Sequence, residues 1–204
     1  MSTIPANDPR LTWSGIYSLE EGDGWIKPWR VPHRDLDLYS PGVSELAGRA
    51  EMPSGARLRF ATDAAALTVI TEPLAKDGNF DLVIDNEIVA TTAYEAGATQ
   101  VAFTHLPSGD KTVEVWLSPA MPVAVRHLEL PCGTTLEKSA DTRLKWVTYG
   151  SSITHCRSAG SPATTWPGVV ARGKNLNLTS MGYGGQCHAD PLIARLIRDR
   201  PADF

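Results

Sequence analysis

The chain has 204 residues, enough for one large domain or two small ones, and a formal net charge of −4. Its charges are mixed, so no basic patch favours nucleic acid, and no apolar run reaches the roughly 18 residues that span a bilayer. Three cysteines cannot all pair within one chain, and the first ten residues lack the pattern of a signal peptide. We therefore expect a cytoplasmic protein with no nucleic-acid or membrane partner; its oligomeric state stays open.

Residues 1–137 read as short alternating segments separated by turn residues, with no convincing helix. The first two segments lie at hairpin distance, and Asp85-Asn86, a pair that tolerates positive φ, separates the third from the fourth. Seven or more short strands with regular turns predict an all-β sandwich of jelly-roll type. The predicted strands are 57–62, 67–71, 80–84, 87–91, 100–104, 111–117 and 123–130.

A small, polar segment, residues 138–143, is predicted to link this sandwich to a second domain, residues 144–204. In that second region the pattern changes to strands that alternate with helices, which predicts the first half of an α/β domain with a parallel sheet. The predicted strands are 144–149 and 175–180. One helix is predicted near Trp166, capped by Thr164 or Thr165 with Pro167 in its first turn, and another from Asp190-Pro191 to Pro201.

Two segments in the second region carry the chemistry. In Gly150-Ser151-Ser152-Ile153-Thr154, small residues end a buried strand, so a hydroxyl can project where open α/β sheets bind ligands. In Met181-Gly182-Tyr183-Gly184-Gly185-Gln186, three glycines would let backbone N–H groups face a ligand. Together they resemble the first two signature blocks of the SGNH (GDSL) hydrolases. Thr165-Trp166-Pro167 resembles the Ala/Ser-Trp-Pro commonly found between those blocks.

The resemblance implies a flavodoxin-like parallel sheet and a serine esterase or acyltransferase that works through an acyl-enzyme. Ser152 takes the nucleophile position, and the N–H groups of Ser152 and Gly185 take the oxyanion-hole positions. Ser151 stands where most members carry Asp. Members with an N-terminal β-sandwich include carbohydrate acetylesterases, so the implied substrate is a small acyl ester, such as an acetylated carbohydrate or a natural-product acyl group. No metal and no other cofactor are implied.

The family's remaining catalytic groups lie in a Gly-x-Asn block after the third strand and an Asp-x-x-His block near the C-terminus. This sequence has no Asp-x-x-His, and no Gly-x-Asn follows its second predicted strand, 175–180. We expect the Asn and the Asp/His partners outside residues 1–204. Ser151, His155, Gln186 and His188 are then candidates for the substrate pocket. His155 or His188 as the catalytic base is the alternative, since a general base must lie within hydrogen-bond reach of the nucleophile.

Two other interpretations stay open. His155-Cys156 and Cys187-His188 could supply four zinc ligands or one disulfide, although an adjacent His-Cys pair chelates poorly, and free thiols are the preferred interpretation. Trp25 and Trp29 could form an aromatic platform in a non-catalytic carbohydrate-binding protein, whose β-sandwich would bind sugar without turnover. Downstream Gly-x-Asn and Asp-x-x-His blocks in the complete gene would favour the enzyme over this rival.

Overall fold

The N-terminal region of the computed structural model, which describes residues 1–40 and 45–204, is an antiparallel β-sandwich. This architecture confirms the predicted fold class. Its strands are β1 (Ser2–Pro5), β2 (Thr12–Ser14), β3 (Ser18–Gly22), β4 (Trp25–Trp29), β5 (Arg57–Thr62), β6 (Ala66–Thr71), β7 (Gly78–Ile84), β8 (Glu87–Tyr94), β9 (Gln100–Thr104), β10 (Lys111–Trp116) and β11 (Val125–Leu130).

One sheet has the strand order β3-β4-β11-β6-β9, with β1 paired to β11, and the other has the order β2-β5-β10-β7-β8. Strands β5 to β11 correspond to the seven predicted segments. The tight turn at Asp85 and Asn86 is confirmed, because both residues have positive φ, 50° and 68°. The core between the sheets consists of side chains such as Phe60, Phe80 and Phe103.

Two local expectations for this region were wrong. Strands β5 and β6 do not form a hairpin, because β5 pairs with β2 and β10 in one sheet while β6 pairs with β11 and β9 in the other. The region also contains two short helices, α1 (Leu36–Tyr39) and α2 (Leu46–Ala50), and a 3-10 turn at His33–Asp35. Each is one turn or little more, which is too short to give a helical periodicity in the sequence.

The C-terminal region has the predicted strand–helix alternation. It consists of β12 (Leu144–Gly150), α3 (Ser152–His155), a 3-10 turn (Pro162–Thr164), α4 (Trp166–Gly173), β13 (Leu176–Gly182) and α5 (Pro191–Asp199). Strands β12 and β13 are parallel and in register from Leu144–Leu176 to Gly150–Gly182. The cap of α4 is Thr165, whose side chain accepts a hydrogen bond from the Gly168 N–H. Beyond α5, the N–H of Val147 donates to the Phe204 carbonyl, 3.0 Å away, along the other edge of β12.

The two regions pack against each other through shared apolar clusters. One cluster joins Trp29 and Leu46 of the N-terminal region to Met181, Tyr183 and Ile193 of the C-terminal region. A second joins Val83 and Trp116 to Ala163, Ala171, Leu176 and Leu178. The β-sandwich therefore covers apolar side chains that the two parallel strands and their helices cannot bury alone.

Candidate functional site

A cleft of about 580 Å³ opens at the carboxyl ends of β12 and β13. Ser152 lies in its wall as the first residue of α3, immediately after the strand-end turn. Its side chain is exposed, and its hydroxyl forms no hydrogen bond with any residue that the structure describes. Ser152 is therefore available to a ligand in the cleft.

The cleft is lined by apolar and cationic side chains around Ser152. Ile153, which is 81% exposed, and Trp166, which is 42% exposed, form an apolar wall, and the Trp166 indole N–H donates to the Ile153 carbonyl at 3.0 Å. Arg157 follows α3 along the chain, and Arg49 reaches the cleft from α2 in the N-terminal region. A ligand with an apolar body and an anionic or strongly polar group fits this lining.

The glycine-rich loop after β13 lies directly against α3. A Cβ atom at Gly182 would come within 2.3 Å of the His155 backbone nitrogen, so only glycine permits this approach. Gly185 has φ +75°, a left-handed conformation that favours glycine. Contrary to the expectation of N–H groups left for a ligand, the Gly184 N–H donates to His155 Nδ1 at 3.1 Å and the Gly185 N–H donates to the Ser151 hydroxyl at 3.0 Å.

His155 lies beneath the cleft and is fully buried. Its Nδ1 accepts the Gly184 N–H, so the other nitrogen, Nε2, carries the proton of the neutral ring. Burial, helped by the charge of Arg30, lowers the pKa of His155 to about 3. Since Nδ1 already accepts the Gly184 N–H and Nε2 carries the ring proton, His155 is not available as a base for Ser152 in this arrangement.

The other predicted pocket residues lie outside the cleft lining. Ser151 faces Gly185, and the Gln186 N–H donates to the Tyr183 carbonyl at 2.8 Å. His188 is exposed on the loop before α5. Among the described residues, no carboxylate or imidazole forms a hydrogen bond with the Ser152 hydroxyl.

The buried guanidinium of Arg30 links the N-terminal region to this loop. It donates to the carbonyls of Ser180 at 3.2 Å and Gly182 at 2.5 Å, and it stacks 5.0 Å from the centroid of the Tyr183 ring. The Tyr183 hydroxyl donates back to the Arg30 carbonyl at 2.8 Å. Sequence reasoning missed both Arg30 and Arg49, because no local pattern indicates a contact with residues more than 130 positions away.

The structure bears differently on the alternative sites. Trp25 is half-buried and lines a small cavity together with Arg126. Trp29 is only 5% exposed and packs in the apolar cluster between the two regions, so its ring cannot form a sugar platform. Cys132, Cys156 and Cys187 are free thiols, and no group of metal-binding side chains occurs among the described residues. No helix within the described ranges is long and apolar enough to cross a membrane.

The chain is similar to one family model and to several solved structures. A family model described as the N-terminal domain of SsfX3 matches residues 11–127. The chain is similar in structure to the salicylyl-acyltransferase SsfX3 from a tetracycline biosynthetic pathway, with 36% identity and a TM-score of 0.92 over 100% of this chain and 60% of that one. No curated protein sequence gives a significant match.

More distant structures share the fold. A GDSL-like lipase from Bacteroides ovatus has 18% identity and a TM-score of 0.75, over 99% of this chain and 62% of that one. A family two carbohydrate esterase from Cellvibrio japonicus has 17% identity and a TM-score of 0.60, over 90% of this chain and 52% of that one. The chain thus spans about 60% of the length of SsfX3 and of the lipase.

Proposed function

Because this chain belongs to the family of the SsfX3 N-terminal domain, we propose that it supplies the nucleophile, Ser152, of a serine-dependent ester hydrolase or acyltransferase. The observation that carries the proposal is the position of Ser152. Its exposed hydroxyl stands at the end of a parallel strand, in a cleft, beside a glycine-rich loop from the neighbouring strand. Esterases and an acyltransferase among proteins of similar structure support the same reaction class.

In the proposed reaction, Ser152 Oγ attacks the carbonyl carbon of an ester and its proton passes to a general base. The tetrahedral intermediate then expels the alcohol and leaves an acyl-enzyme, which water or a second alcohol resolves. The backbone N–H of Ser152, which has no acceptor among the described residues, and the N–H of Gly185 would stabilise the oxyanion. No metal or organic cofactor takes part.

Ser151 affects how the Gly185 N–H can act as an oxyanion donor. In this structure that N–H donates to the Ser151 hydroxyl, which is neutral and can act as donor or acceptor. When an oxyanion accepts a hydrogen bond from the Gly185 N–H, it therefore replaces the neutral Ser151 hydroxyl as the acceptor. An aspartate at the same position would place a negative charge beside the developing oxyanion, which is unfavourable.

The general base is proposed to come from an Asp-x-x-His block, and the third oxyanion donor from a Gly-x-Asn block, as the SGNH resemblance implies. No Asp-x-x-His occurs in residues 1–204, and no Gly-x-Asn follows β13. Activity is therefore tested on the protein expressed from its complete gene. The proposed substrate is a small acyl ester, such as an acetylated carbohydrate or a natural-product acyl group. The Ile153–Trp166 wall suits the acyl part, and Arg157 suits a polar or anionic part.

A serine-directed organophosphonate tests the assignment. We expect the label on Ser152 alone, and we expect Ser152→Ala to abolish both labelling and hydrolysis of a short-chain aryl ester. Ser108→Ala, an exposed serine in the turn between β9 and β10, is the matched control and should leave both unchanged. Peptide mapping that finds the label on another serine would contradict the proposal. Sugar binding without turnover by the wild-type protein would favour the carbohydrate-binding rival.

A further inference from the structure

Gly184 is held on both of its polar groups by side chains from different parts of the chain. Its N–H donates to His155 Nδ1, 3.1 Å away, and its carbonyl accepts from Arg49 Nε, 2.9 Å away. In a planar trans peptide the carbonyl and the following N–H point in opposite directions. A fixed Gly184 carbonyl therefore sets the direction of the Gly185 N–H, which points to the Ser151 hydroxyl.

His155 is itself held rigidly enough to act as one side of this arrangement. Its ring is completely buried, and its own carbonyl accepts from the Ser54 hydroxyl at 2.8 Å. The Arg30 guanidinium lies 3.5 Å from Nε2. Since a second proton would sit on Nδ1, the acceptor for Gly184 exists only while the ring is neutral.

Arg49 forms the other side. It lies in α2, where its guanidinium also pairs with Glu45 one turn earlier, at 2.6 Å. This i,i+4 pair restricts the arginine side chain and leaves Nε directed at the Gly184 carbonyl. The glycine at position 184 belongs to the arrangement too, because a Cβ there would lie 3.3 Å from His155 Nδ1.

We propose that His155 and Arg49 are positioning residues that clamp Gly184 and so direct the Gly185 N–H toward the Ser151–Ser152 turn. Neither donates to the reacting atoms. They orient the oxyanion donor before the substrate binds. Such preorganised donors stabilise a developing charge better than water does, because they need no reorganisation during the reaction. The catalytic effect of the clamp rests on the proposed function, whereas the contacts that hold Gly184 do not depend on it.

Substitutions at His155 test the clamp. In His155→Asn, the amide oxygen can occupy the place of Nδ1 and accept the Gly184 N–H, whereas His155→Leu has similar size and no acceptor. We expect His155→Leu to lower kcat about 10-fold or more with KM changed less than about 2-fold, and His155→Asn to retain most of kcat. His105→Asn, at an exposed position after β9, is the control.

Equal losses in the Asn and Leu variants, or full kcat in a folded Leu variant, would overturn the proposal. If His155→Leu does not fold, His155→Gln replaces it, because its amide oxygen reaches the Nε2 position and not that of Nδ1. The clamp then predicts a higher kcat for Asn than for Gln, and the reverse order contradicts it. Arg49→Lys should likewise retain more kcat than Arg49→Met, since lysine can still donate to the Gly184 carbonyl.

A measurement independent of turnover separates this inference from the proposed function. Amide hydrogen exchange at Gly184 should be at least about 10-fold faster in His155→Leu than in His155→Asn, since only the asparagine keeps an acceptor for that N–H. A wild-type protein without turnover or Ser152 labelling would contradict the proposed function, and the exchange rates would still decide the clamp. Equal exchange in the two variants would refute the clamp even in an active enzyme.

Discussion

The carboxylate of Asp81 in β7 accepts a hydrogen bond from the backbone N–H of Ala163, 2.7 Å away, in the turn that leads into α4. The same buried carboxylate accepts from the hydroxyls of Ser161 at 2.5 Å and Thr91 at 2.7 Å. One side chain of the β-sandwich therefore holds the segment that carries Trp166 and one wall of the cleft. The sandwich thus takes part in shaping the candidate site.

Removing this carboxylate should loosen that segment. Asp81→Ala leaves the buried Ala163 N–H and the Ser161 hydroxyl without their acceptor, and we expect a loss of about 3 kcal/mol in the free energy of unfolding. Urea denaturation measures it, and amide exchange at Ala163 should accelerate. Asp110→Ala, an exposed aspartate between β9 and β10, is the control. An Asp81→Ala variant as stable as this control would show that the contact contributes little.

Gly185→Ala should reduce turnover more than it reduces stability. A side chain at φ +75° is strained, so the backbone will rotate and carry the Gly185 N–H away from the Ser151–Ser152 turn. We expect kcat to fall by about 10²-fold, as loss of an oxyanion donor does, with a smaller change in KM. Gly97→Ala is the matched control, because Gly97 has φ +85° and also has open space around it. A change confined to KM would mean that this loop binds substrate only.

Glu114 should be essential to the stability of the sandwich. Its buried carboxylate pairs with Arg59 at 2.8 Å, with Arg57 at 3.3 Å and with Arg143. Glu114→Ala leaves Arg57, which is fully buried, without its counter-charge, and we expect a loss of about 3–5 kcal/mol. The control is Asp199→Ala, which breaks an exposed pair with Arg198 and should not move the denaturation midpoint. Similar midpoints for the two variants would contradict this prediction.

The pKa of His155 predicts a loss of stability in mild acid. The unfolded state takes up a proton near pH 6.5, whereas burial delays protonation of the folded protein until the pKa of about 3. The contribution of neutral His155 to the free energy of unfolding is thus complete above pH 6.5. It is lost as the pH falls from 6.5 toward 3, with a slope of up to about 1.4 kcal/mol per pH unit. His155→Asn should remove this slope in denaturation measured between pH 6.5 and 5. An unchanged slope would contradict it.

Local sequence patterns determined most of the secondary structure. Alternation of apolar and polar residues identified β5 to β11, and the Asp85-Asn86 pair identified the turn between β7 and β8. Cap residues and proline placed α4 and α5 within one residue of their observed starts. The strands β1 to β4 were not identified because β2 has only three residues and because β1, β3 and β4 contain Pro or Gly, which are unfavourable in strands.

The sequence also determined where the candidate nucleophile lies, because an apolar strand followed by small residues can be recognised from a few neighbouring positions. The tertiary structure alone decided what surrounds Ser152. Arg49 enters the cleft from α2, Trp29 becomes core instead of surface, and His155 is buried beneath the Gly184 loop. These outcomes depend on the packing of the sandwich against β13. Such packing buries side chains from segments far apart in the chain, and its energy is not encoded in any short window of sequence.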